Sequence, residues 1–489
     1  MFKRGGDELA IPPKQVHPAT QEEVEAIYNN SCHEIERFCF ASLTHQRQVR
    51  VPVHGDKFFN KHIAIVGATG SGKSSSVCTI LQMAVAAKNG SYAGLNNSHI
   101  VIFDIHSEYK TAFPNANVIT SSDLVLPFWM LNDDEMENMF LETGDANNYN
   151  QKSLLRQIIT LCKCIANPEK EKINFDTPIS FDIEHFRKCL HNLSREIKHS
   201  DNSLRPAIEG NDITVFENDT ERLTYYCQNK LQFCKAVHGK LTKGPYADGS
   251  IDKFMRRIDA RIANLRLEFM FGSNARGATL DDVLRQILGY TLNKTSNTTI
   301  IDLNGIPFDF ISITVSLITR LLFDYCYYSR KEGGVNHTPL LLVFEEAHKY
   351  APKSDLARYK ASLKAIERVA KEGRKYGVSL LISSQRPSEI SETIFSQCSN
   401  FLAMRLTNPD DQAYVRGLLP DTLGNITSGV AALEQGEALL IGDAVVIPCV
   451  VYVDLCSPEP SSSDIKYFQV WKQTWTEVDF TSSAAEWQR

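Results

Sequence analysis

One short segment of the chain combines glycines, a lysine and a serine at a spacing typical of phosphate binding. It reads Gly-Ala-Thr-Gly-Ser-Gly-Lys-Ser and follows the apolar run from His62 to Val66. Glycines let backbone amides turn toward an anion, the start of a helix adds its dipole, the ammonium reaches the β- and γ-phosphates, and the hydroxyl ligates Mg²⁺. A glycine-rich turn without a ligand is the alternative. We predict a site for ATP and Mg²⁺ formed by Gly67, Thr69, Gly70, Ser71, Gly72, Lys73 and Ser74.

Two carboxylates follow a second apolar run, which ends at Phe344. Acidic groups at the carboxyl end of a parallel strand can hold Mg²⁺ and polarise a water molecule. We predict that Glu345 contacts the metal ion through water, that Ser74 ligates it, and that Glu346 activates the attacking water. The alternative is a pair of exposed acids at a strand end. Together with the phosphate-binding segment, the pair predicts ATP hydrolysis.

Three polar residues, Asp104, His106 and Glu108, end or follow the apolar run that begins at His99. The ends of parallel strands meet at the ligand crevice of such a sheet. We therefore predict that Asp104 lies at the nucleotide site and that its two neighbours approach the phosphates or an adjacent subunit. A loop hydrogen-bonded to itself is the alternative, while a zinc site lacks further ligands in this segment.

A glutamine and an arginine flank the apolar run from Val378 to Ile382. Gln385 follows the run and places a neutral amide where a γ-phosphate sensor is expected. Arg374 precedes it, and a rigid guanidinium can stabilise charge on a phosphoryl group bound by the next subunit. Arg368 and Arg405 are alternatives for that role.

Positive charge is concentrated between residues 349 and 375, where nine basic residues face three acidic ones. A surface of this kind suits contact with a phosphate backbone without sequence readout. We predict DNA contacts from Lys353, Lys360 and Lys364. A solvated helix face is the alternative interpretation.

The elements that position these residues alternate between strand and helix patterns. The pattern of residues 57–132 predicts a βαβ unit, and residues 133–296 show long helical periodicities, for example with Ile258, Ile262, Leu265 and Phe269 on one helix face. Residues 297–455 return to the strand-and-helix pattern, and near their end the run from Glu437 to Pro448 predicts a hairpin that turns at Gly442 and Asp443. A short N-terminal segment, residues 1–56, and a C-terminal tail, residues 456–489, flank them. The pattern predicts an α/β fold with a largely parallel sheet and an α-helical insertion.

Bulk properties limit the class of protein. The formal net charge is −6 and the sequence pI about 6.1, so any DNA contact has to be local. Twelve cysteines without zinc spacing predict reduced thiols. The longest apolar segment, around residues 311–322, is interrupted by polar residues, which argues against a membrane span and favours a cytoplasmic location.

Taken in order, these motifs resemble the HerA-type ATPases, which belong to the FtsK/HerA division of RecA-like motor proteins. The similar elements are the segment from Lys61 to Ser74, Asp104-Ile-His-Ser-Glu-Tyr109, Leu126-Pro-Phe-Trp-Met-Leu131, Glu345-Glu-Ala-His348, Glu372-Gly-Arg-Lys375, Ser384-Gln-Arg-Pro387 and Gly436-Glu-Ala-Leu439. They extend from about residue 57 to residue 450 in the order of the family.

The resemblance implies a RecA-like P-loop NTPase core assembled as a homo-hexameric ring, which hydrolyses ATP and translocates double-stranded DNA together with a nuclease or another effector protein. By motif, Lys73 and Ser74 bind phosphate and Mg²⁺, Glu346 activates water, Gln385 senses the γ-phosphate and Arg374 acts in trans. The chain departs from the family at Glu345, where Asp is common, and at Ile105 and Ser107, which replace Pro and Gly. Residues 1–56 leave room for at most a remnant of the family's N-terminal β-barrel.

Three functions are open at this point. The first is an ATP-driven DNA translocase or helicase that acts with an effector in DNA end processing or anti-phage defence. The second is an ATP-binding ring scaffold that assembles an effector without translocation. The third is a secretion or conjugation ATPase at a membrane, against which the interrupted apolar segment argues.

Overall fold

The computed structural model describes residues 18–142, 148–210, 215–292, 294–333, 338–353, 360–417, 428–461, 465–477 and 479–487. The strands are β1 Arg37–Leu43, β2 Arg50–His54, β3 Ile63–Val66, β4 His99–Asp104, β5 Asn117–Ile119, β6 Ile197–His199, β7 Leu241–Lys243, β8 Tyr290–Thr291, β9 Lys294–Thr295, β10 Thr298–Asp302, β11 Leu340–Phe344, β12 Val378–Ser384, β13 Asn400–Met404, β14 Glu437–Gly442 and β15 Cys449–Val453.

The helices alternate with these strands in the core and follow one another in the insertion. They are α1 Gln21–Asn29, α2 Gly55–Asn60, α3 Lys73–Ala86, α4 Asp133–Phe140, α5 Asn148–Ala166, α6 Ile183–Arg195, α7 Asp219–Gln228, α8 Asp252–Ile262, α9 Glu268–Phe271, α10 Ser273–Gly277, α11 Leu280–Ile287, α12 Phe308–Gly333, α13 Lys360–Glu372, α14 Glu392–Gln397, α15 Pro409–Gly417, α16 Tyr467–Trp471 and α17 Phe480–Trp487.

A sheet of 11 strands forms the centre of the molecule, in the order β2-β1-β15-β14-β13-β3-β12-β11-β4-β10-β5. The pairings from β13 to β5 are parallel, and those from β2 to β13 are antiparallel. Strands β3, β4, β11 and β12 are buried along their whole length, as expected where helices cover both faces of a parallel sheet. The predicted α/β fold with a largely parallel sheet is confirmed.

The antiparallel edge differs in detail from the sequence prediction. We expected a hairpin that turns at Gly442 and Asp443, but the second strand begins only at Cys449. The intervening loop bonds elsewhere, because the Asp443 N–H donates to the Ser399 carbonyl and the Ala444 carbonyl accepts from the His54 N–H. Strand β15 then pairs with β1, so the described part of the N-terminal segment extends the main sheet.

The insertion contains helices α4 to α11, a two-stranded antiparallel sheet of β6 and β7, and a short hairpin of β8 and β9. It shares one hydrophobic core with the helices on one face of the sheet. Glu135 helps to join the two parts, because this fully buried residue caps α4 and accepts hydrogen bonds from Ser316 and Arg320 of α12. The boundaries at residues 56, 132, 296 and 455 stay predictions.

Helix α12 explains the long apolar segment of the sequence. Its residues Phe308–Arg330 are long and apolar enough to cross a membrane, but 78% of the most apolar window is buried inside the protein. No other helix in the described part of the chain meets the same criteria. The helix packs against α13 and α4, so its apolar side chains have protein partners.

A buried histidine at the start of β3 predicts a pH dependence of stability. His62 is fully buried, its Nε2 lies 3.0 Å from the Ala370 carbonyl oxygen, and its Nδ1 accepts from the Leu380 N–H at 3.0 Å. The pKa of His62 is lowered from 6.5 to about 4, chiefly by burial and to a smaller extent by the charge of Arg374, against the opposing effect of the hydrogen bond to Ala370. Between these two values the unfolded chain binds a proton that the native protein does not bind.

The free energy of unfolding should therefore decrease as the pH falls from 6.5 to 4, by up to about 3 kcal/mol. Urea unfolding at several pH values measures this slope. We expect His62→Gln, which keeps one donor and one acceptor, to flatten the slope in this window. Substitution of the exposed His45 by Gln serves as the control and should leave it unchanged. An equal slope in wild type and His62→Gln would assign the pH dependence to other groups.

Candidate nucleotide site

The glycine-rich loop lies between β3 and α3, at the carboxyl edge of the parallel strands. Gly70 and Gly72 have φ of 75° and 95°, values that residues with a side chain rarely adopt. At Gly67 a Cβ atom would lie 2.6 Å from Ser71 Oγ and 2.8 Å from Met404 Cβ. Glycine at these three positions therefore permits the backbone conformation of an anion-binding loop at a helix N-terminus.

Three neighbouring segments fix this loop. The Gly67 N–H donates to the Ser384 carbonyl at 3.2 Å, and the Ala68 N–H donates to the Arg405 carbonyl at 2.8 Å. The Gly436 N–H donates to the Ser71 carbonyl at 3.0 Å. The ends of β12 and β13 and the start of β14 therefore hold the loop in place before any ligand binds.

The lysine of the loop forms a buried ion pair with the second carboxylate. Lys73 Nζ donates to Glu346 Oε1 at 2.6 Å, and the two side chains are 6% and 3% exposed. Strands β3 and β11 are not adjacent, since β12 lies between them, so the pair crosses one strand of the sheet. The structure thus brings together the two halves of the predicted NTPase signature.

Glu346 is held in one orientation by several groups. Its backbone adopts the left-handed region, with φ of 46°. Its Oε2 accepts from the Gln385 N–H at 3.3 Å and lies 3.3 Å from His348 Nδ1. Burial raises the pKa of Glu346, but His348, Lys73 and the Gln385 N–H outweigh burial and lower it to about 2. The carboxylate is therefore ionised at neutral pH, as a group that accepts a proton has to be.

The pKa of the adjacent Glu345 is shifted in the opposite direction to that of Glu346. Burial, followed by the charges of Asp104 and Glu108, raises the pKa of Glu345 to about 9. The side chain is 2% exposed, and no group in the described part of the chain hydrogen-bonds its Oε2. The two adjacent carboxyl groups thus differ in charge at pH 7, which is a pattern typical of catalytic sites.

Asp104 organises the loop that follows β4. Its Oδ1 accepts from the N–H groups of His106 and Glu108, each at 3.2 Å, and its Oδ2 accepts from the Tyr109 N–H at 2.9 Å. This matches the alternative of a loop hydrogen-bonded to itself. Contact between Asp104 and the nucleotide stays a prediction, since these three amides already occupy its carboxylate oxygens.

The glutamine after β12 contacts the phosphate-binding loop directly. Thr69 Oγ1 donates to Gln385 Oε1 at 2.7 Å, and the Gln385 N–H bonds to Glu346. A movement of the phosphate-binding loop can therefore be transmitted to the segment after β12 through the side chain of Gln385. His348, which touches both Glu346 and Ser384 Oγ, received no role from the sequence. Its position two residues after Glu346 was the available signal.

The three candidate arginines occupy different places. Arg374 is exposed at the amino end of β12, about 20 Å along the strand from the phosphate-binding loop, given a rise of about 3.3 Å per residue. Arg368 lies 4.4 Å from the Phe323 ring and 3.4 Å from Asp324, so it is engaged within the subunit. Arg405 is half-buried and borders its own phosphate-binding loop.

The lysines predicted to bind DNA have acidic partners where the structure describes them. Lys353 Nζ lies 2.5 Å from Glu392 Oε1, and Lys364 Nζ lies 2.8 Å from Asp134 Oδ1. The side chain of Lys360 lies outside the described part of the chain. DNA contact by these residues stays a prediction, and two of the charges are partly neutralised within the subunit.

The residues at the loop fit a magnesium nucleotide. Ser74 lies in the first turn of α3, and the buried Ser71 Oγ has no hydrogen-bond partner in the described part of the chain. The described residues contain no group of three or more His, Cys, Asp or Glu side chains arranged to hold a metal ion. Mg²⁺ is usually bound by one or two protein groups together with substrate phosphates, and Ser74 is placed to be one such group. Ser74 would hold the ion, with Glu345 close to it.

Comparison with known proteins identifies related sequences. A family model described as the central domain of the helicase HerA matches residues 38–322. The DNA double-strand break repair helicase HerA of Sulfolobus acidocaldarius is 27% identical over 434 residues, which cover 88% of this chain and 72% of the relative. The protein of the same name from Sulfurisphaera tokodaii is 26% identical over 488 residues, which cover 98% of this chain and 81% of the relative.

The fold is also similar to solved structures. The bacterial conjugative coupling protein TrwB, without its first 70 residues, has a TM-score of 0.51 at 10% identity, covering 93% of this chain and 96% of that one. TrwB in complex with ADP and Mg²⁺ has the same TM-score at 11% identity, covering 92% and 97%. At these identities the likeness concerns the fold.

Proposed function

This chain belongs to the HerA family, and from that premise we propose that it is a ring-forming motor that uses ATP hydrolysis to move duplex DNA. It is an ATP hydrolase of the P-loop class. The relatives named above are DNA repair helicases, and DNA as the substrate of this chain follows from membership of their family. The hexameric ring and the effector partner are further parts of the proposal.

One observation carries the ATPase part, namely the contact between Lys73 and an ionised, oriented Glu346. Glu346 is the group that accepts a proton from water, and Gln385 joins it to the phosphate-binding loop through Thr69. Lys73 has to leave Glu346 to reach a phosphate. We infer that nucleotide binding breaks this ion pair and releases the Glu346 carboxylate. The catalytic base then becomes available only when the nucleotide site is occupied. Mg²⁺, when bound, would neutralise phosphate charge.

Stimulation by DNA tests the motor. We expect the steady-state ATPase rate to increase on addition of linear duplex DNA, measured by phosphate release, with a Lys73→Ala variant as the blank. An ATPase rate that duplex DNA does not change, together with intact assembly of an effector in the Lys73→Ala variant, would favour the ring scaffold.

The ring is supported by the position of Arg374, which is exposed at the sheet edge opposite its own nucleotide site. A guanidinium there can act only on nucleotide bound by another subunit. We expect Arg374→Ala to keep its affinity for ADP and to lose at least about 10³-fold in kcat. Substitution of the engaged Arg368 by Ala is the matched control and should retain turnover.

Mixing makes this test sharper. We expect Arg374→Ala and Lys73→Ala subunits each to be inactive alone, whereas a mixed ring would contain interfaces between an intact site and an intact arginine. Recovery of ATPase activity on mixing supports action in trans, and native mass measures the number of subunits. Full ATPase activity in a monomeric fraction would contradict the action of Arg374 in trans and with it the argument for a ring.

A partner protein is favoured by the C-terminal tail. Several of its large apolar side chains are exposed, including Trp471, Trp475 and Trp487 at 74%, 89% and 92%. Exposed aromatic residues of this density mark interaction sites. We propose that an effector, such as a nuclease, acts with the ring in DNA end processing or anti-phage defence, and that the complex is cytoplasmic.

A further inference from the structure

A basic surface on the helical insertion has no role in the nucleotide site. Residues 223–247 contain no aspartate or glutamate. They contain four lysines, all exposed, at positions Lys230, Lys235, Lys240 and Lys243. None of the ion pairs formed by the described residues of the insertion involves these lysines. This local excess of positive charge is opposite in sign to the net charge of the whole chain, which is −6.

Backbone hydrogen bonds fix the segment that carries these lysines. Strand β7 pairs with β6, so that Lys243 lies opposite Ile197. The Lys240 carbonyl accepts from the Ser200 N–H at 3.0 Å, and the Gly244 N–H donates to the Glu196 carbonyl at 2.8 Å. Just before β7, Val237 and Leu241 pair across a tight hairpin turn that contains Lys240, and the Cys234 N–H, next to Lys235, donates to the Ala207 carbonyl. Lys235, Lys240 and Lys243 therefore lie on or beside a hairpin whose backbone is fixed, and Lys230 follows the end of α7. Fixed positions of the charges lower the entropy cost of binding.

Two further basic residues border the hairpin. Arg195 is exposed at the end of α6, and Lys198 is half-buried on β6. Burial lowers the pKa of the neighbouring His191, and the charges of Arg195 and Lys230 lower it further, against the opposing effect of Asp259. His191 and Lys230 line the same hollow, and Arg195 ends the helix that carries His191, so both charges lie near this ring. We define the basic hairpin surface as Arg195, Lys198, Lys230, Lys235, Lys240 and Lys243.

The acidic groups around this surface leave it positive. Asp201, Glu209 and Asp248 are exposed acidic neighbours that form no ion pair within the described part of the chain. Glu184 and Asp259 border the same hollow as Lys230, but both are paired with Arg187. Glu196 is fully buried and is paired with Arg222. Apart from these paired acids, six basic residues face three exposed acids. The predicted DNA contacts Lys353 and Lys364 have acidic partners within hydrogen-bond distance, whereas the hairpin lysines have none in the described part of the chain.

We propose that the basic hairpin surface binds the phosphate backbone of duplex DNA, as a second DNA contact separate from residues 349–375. Exposed ammonium groups replace condensed counterions on a duplex without reading its bases, so the contact is independent of sequence and strongly dependent on salt. This inference rests on the proposed function, because it presupposes that the chain acts on duplex DNA. Its consequence is that the insertion helps to hold the substrate during translocation.

Salt dependence of binding tests the proposal in the full-length protein. A variant with Lys230, Lys235, Lys240 and Lys243 each changed to Gln loses four charges and keeps similar side-chain lengths. The control variant changes Lys57, Lys170, Lys172 and Lys253 to Gln, which are equally exposed but interspersed with acids such as Glu169, Glu171 and Asp252. Fluorescence anisotropy with a labelled blunt duplex gives log Kd against log salt concentration for each protein.

We expect the hairpin variant to reduce the magnitude of the slope by about 2 to 4, since each lost phosphate contact contributes about 0.9. Its ATPase rate without DNA should equal that of wild type, which shows that the fold and the nucleotide site are intact. The control variant should keep the wild-type slope.

The outcomes separate the inference from the function on which it rests. If wild type binds duplex DNA and the hairpin variant shows the same slope, the inference is wrong and the surface is available to an acidic protein instead. If wild type itself neither binds duplex DNA nor gains ATPase activity from it, the proposed function fails, and the second contact fails with it.

Discussion

Glu346→Gln is expected to bind ATP and to lose turnover by about 10²- to 10⁴-fold in kcat, the usual contribution of a general base. The amide keeps the size of the carboxylate but cannot accept the proton of water. The same change removes the negative partner of Lys73, which then has no competing carboxylate. We therefore expect the affinity for ATP to be equal to or higher than that of wild type, as measured by titration calorimetry.

Glu345→Gln is the natural comparison for that experiment. Because the pKa of Glu345 is about 9, its side chain is neutral at pH 7, and a neutral amide of the same shape should change the free energy of unfolding by less than about 1 kcal/mol. Glu346→Gln leaves Lys73 as an unpaired buried cation and should destabilise the nucleotide-free protein by about 3 to 5 kcal/mol. Equal stability of the two variants, or turnover retained by Glu346→Gln, would contradict the assigned roles.

The sequence was sufficient for the parts of the site that depend on local pattern. A loop of glycines between an apolar strand and a helix has few conformations, so residues 67–74 could be placed from sequence alone. The same holds for strands β3, β4, β11 and β12, whose continuous apolar runs are typical of strands buried on both faces. Because parallel strands end at one edge, the proximity of Glu346 and Lys73 also followed.

Contacts between distant segments could not be read from the pattern. Nothing local to Glu345 and Glu346 shows that the first becomes neutral while the second stays ionised, because that difference depends on burial and on Asp104, Glu108 and Lys73 from other segments. The placement of Leu265 on the same helix face as Ile258 and Ile262 was wrong, because the helix does not extend to Leu265. Helix α8 ends at Ile262 and a tight turn follows, which leaves Leu265 83% exposed.

A count of charges in a continuous segment of sequence also does not show which of those charges have acidic partners in the fold. Residues 349–375 have an excess of positive charge, yet Lys364 pairs with Asp134, which is 230 residues away in the sequence. The hairpin lysines have a smaller excess but no acidic partner in the described part of the chain. The availability of a charge for DNA thus depends on tertiary contacts, which is why the structure favours a surface that the sequence did not single out.

Removal of the Lys73 side chain is expected to abolish ATP hydrolysis. It is also expected to lower the free energy of unfolding, because the ion pair with Glu346 is lost. In Lys73→Ala the ammonium that reaches the phosphates is missing, so we expect weaker binding of ATP and no measurable phosphate release. The variant also leaves Glu346 as an unpaired buried carboxylate. Loss of one partner of a buried pair costs about 3 to 5 kcal/mol, which urea unfolding of the nucleotide-free protein can measure.

The double variant Lys73→Ala/Glu346→Gln separates the two effects of that substitution. It removes both charges, so most of the lost stability should return while activity stays absent. The pH dependence gives a second signature. In wild type the pKa of Glu346, about 2, lies below its ordinary value of 4.5, so its ionisation stabilises the fold above pH 4.5, and this stabilisation is lost as the pH falls toward 2. In Lys73→Ala the loss should begin at a higher pH, because the attraction that keeps the carboxylate ionised is weaker. A Lys73→Ala protein as stable as wild type at every pH would mean that lysine and carboxylate are apart before ATP arrives, and that nucleotide binding does not have to separate them.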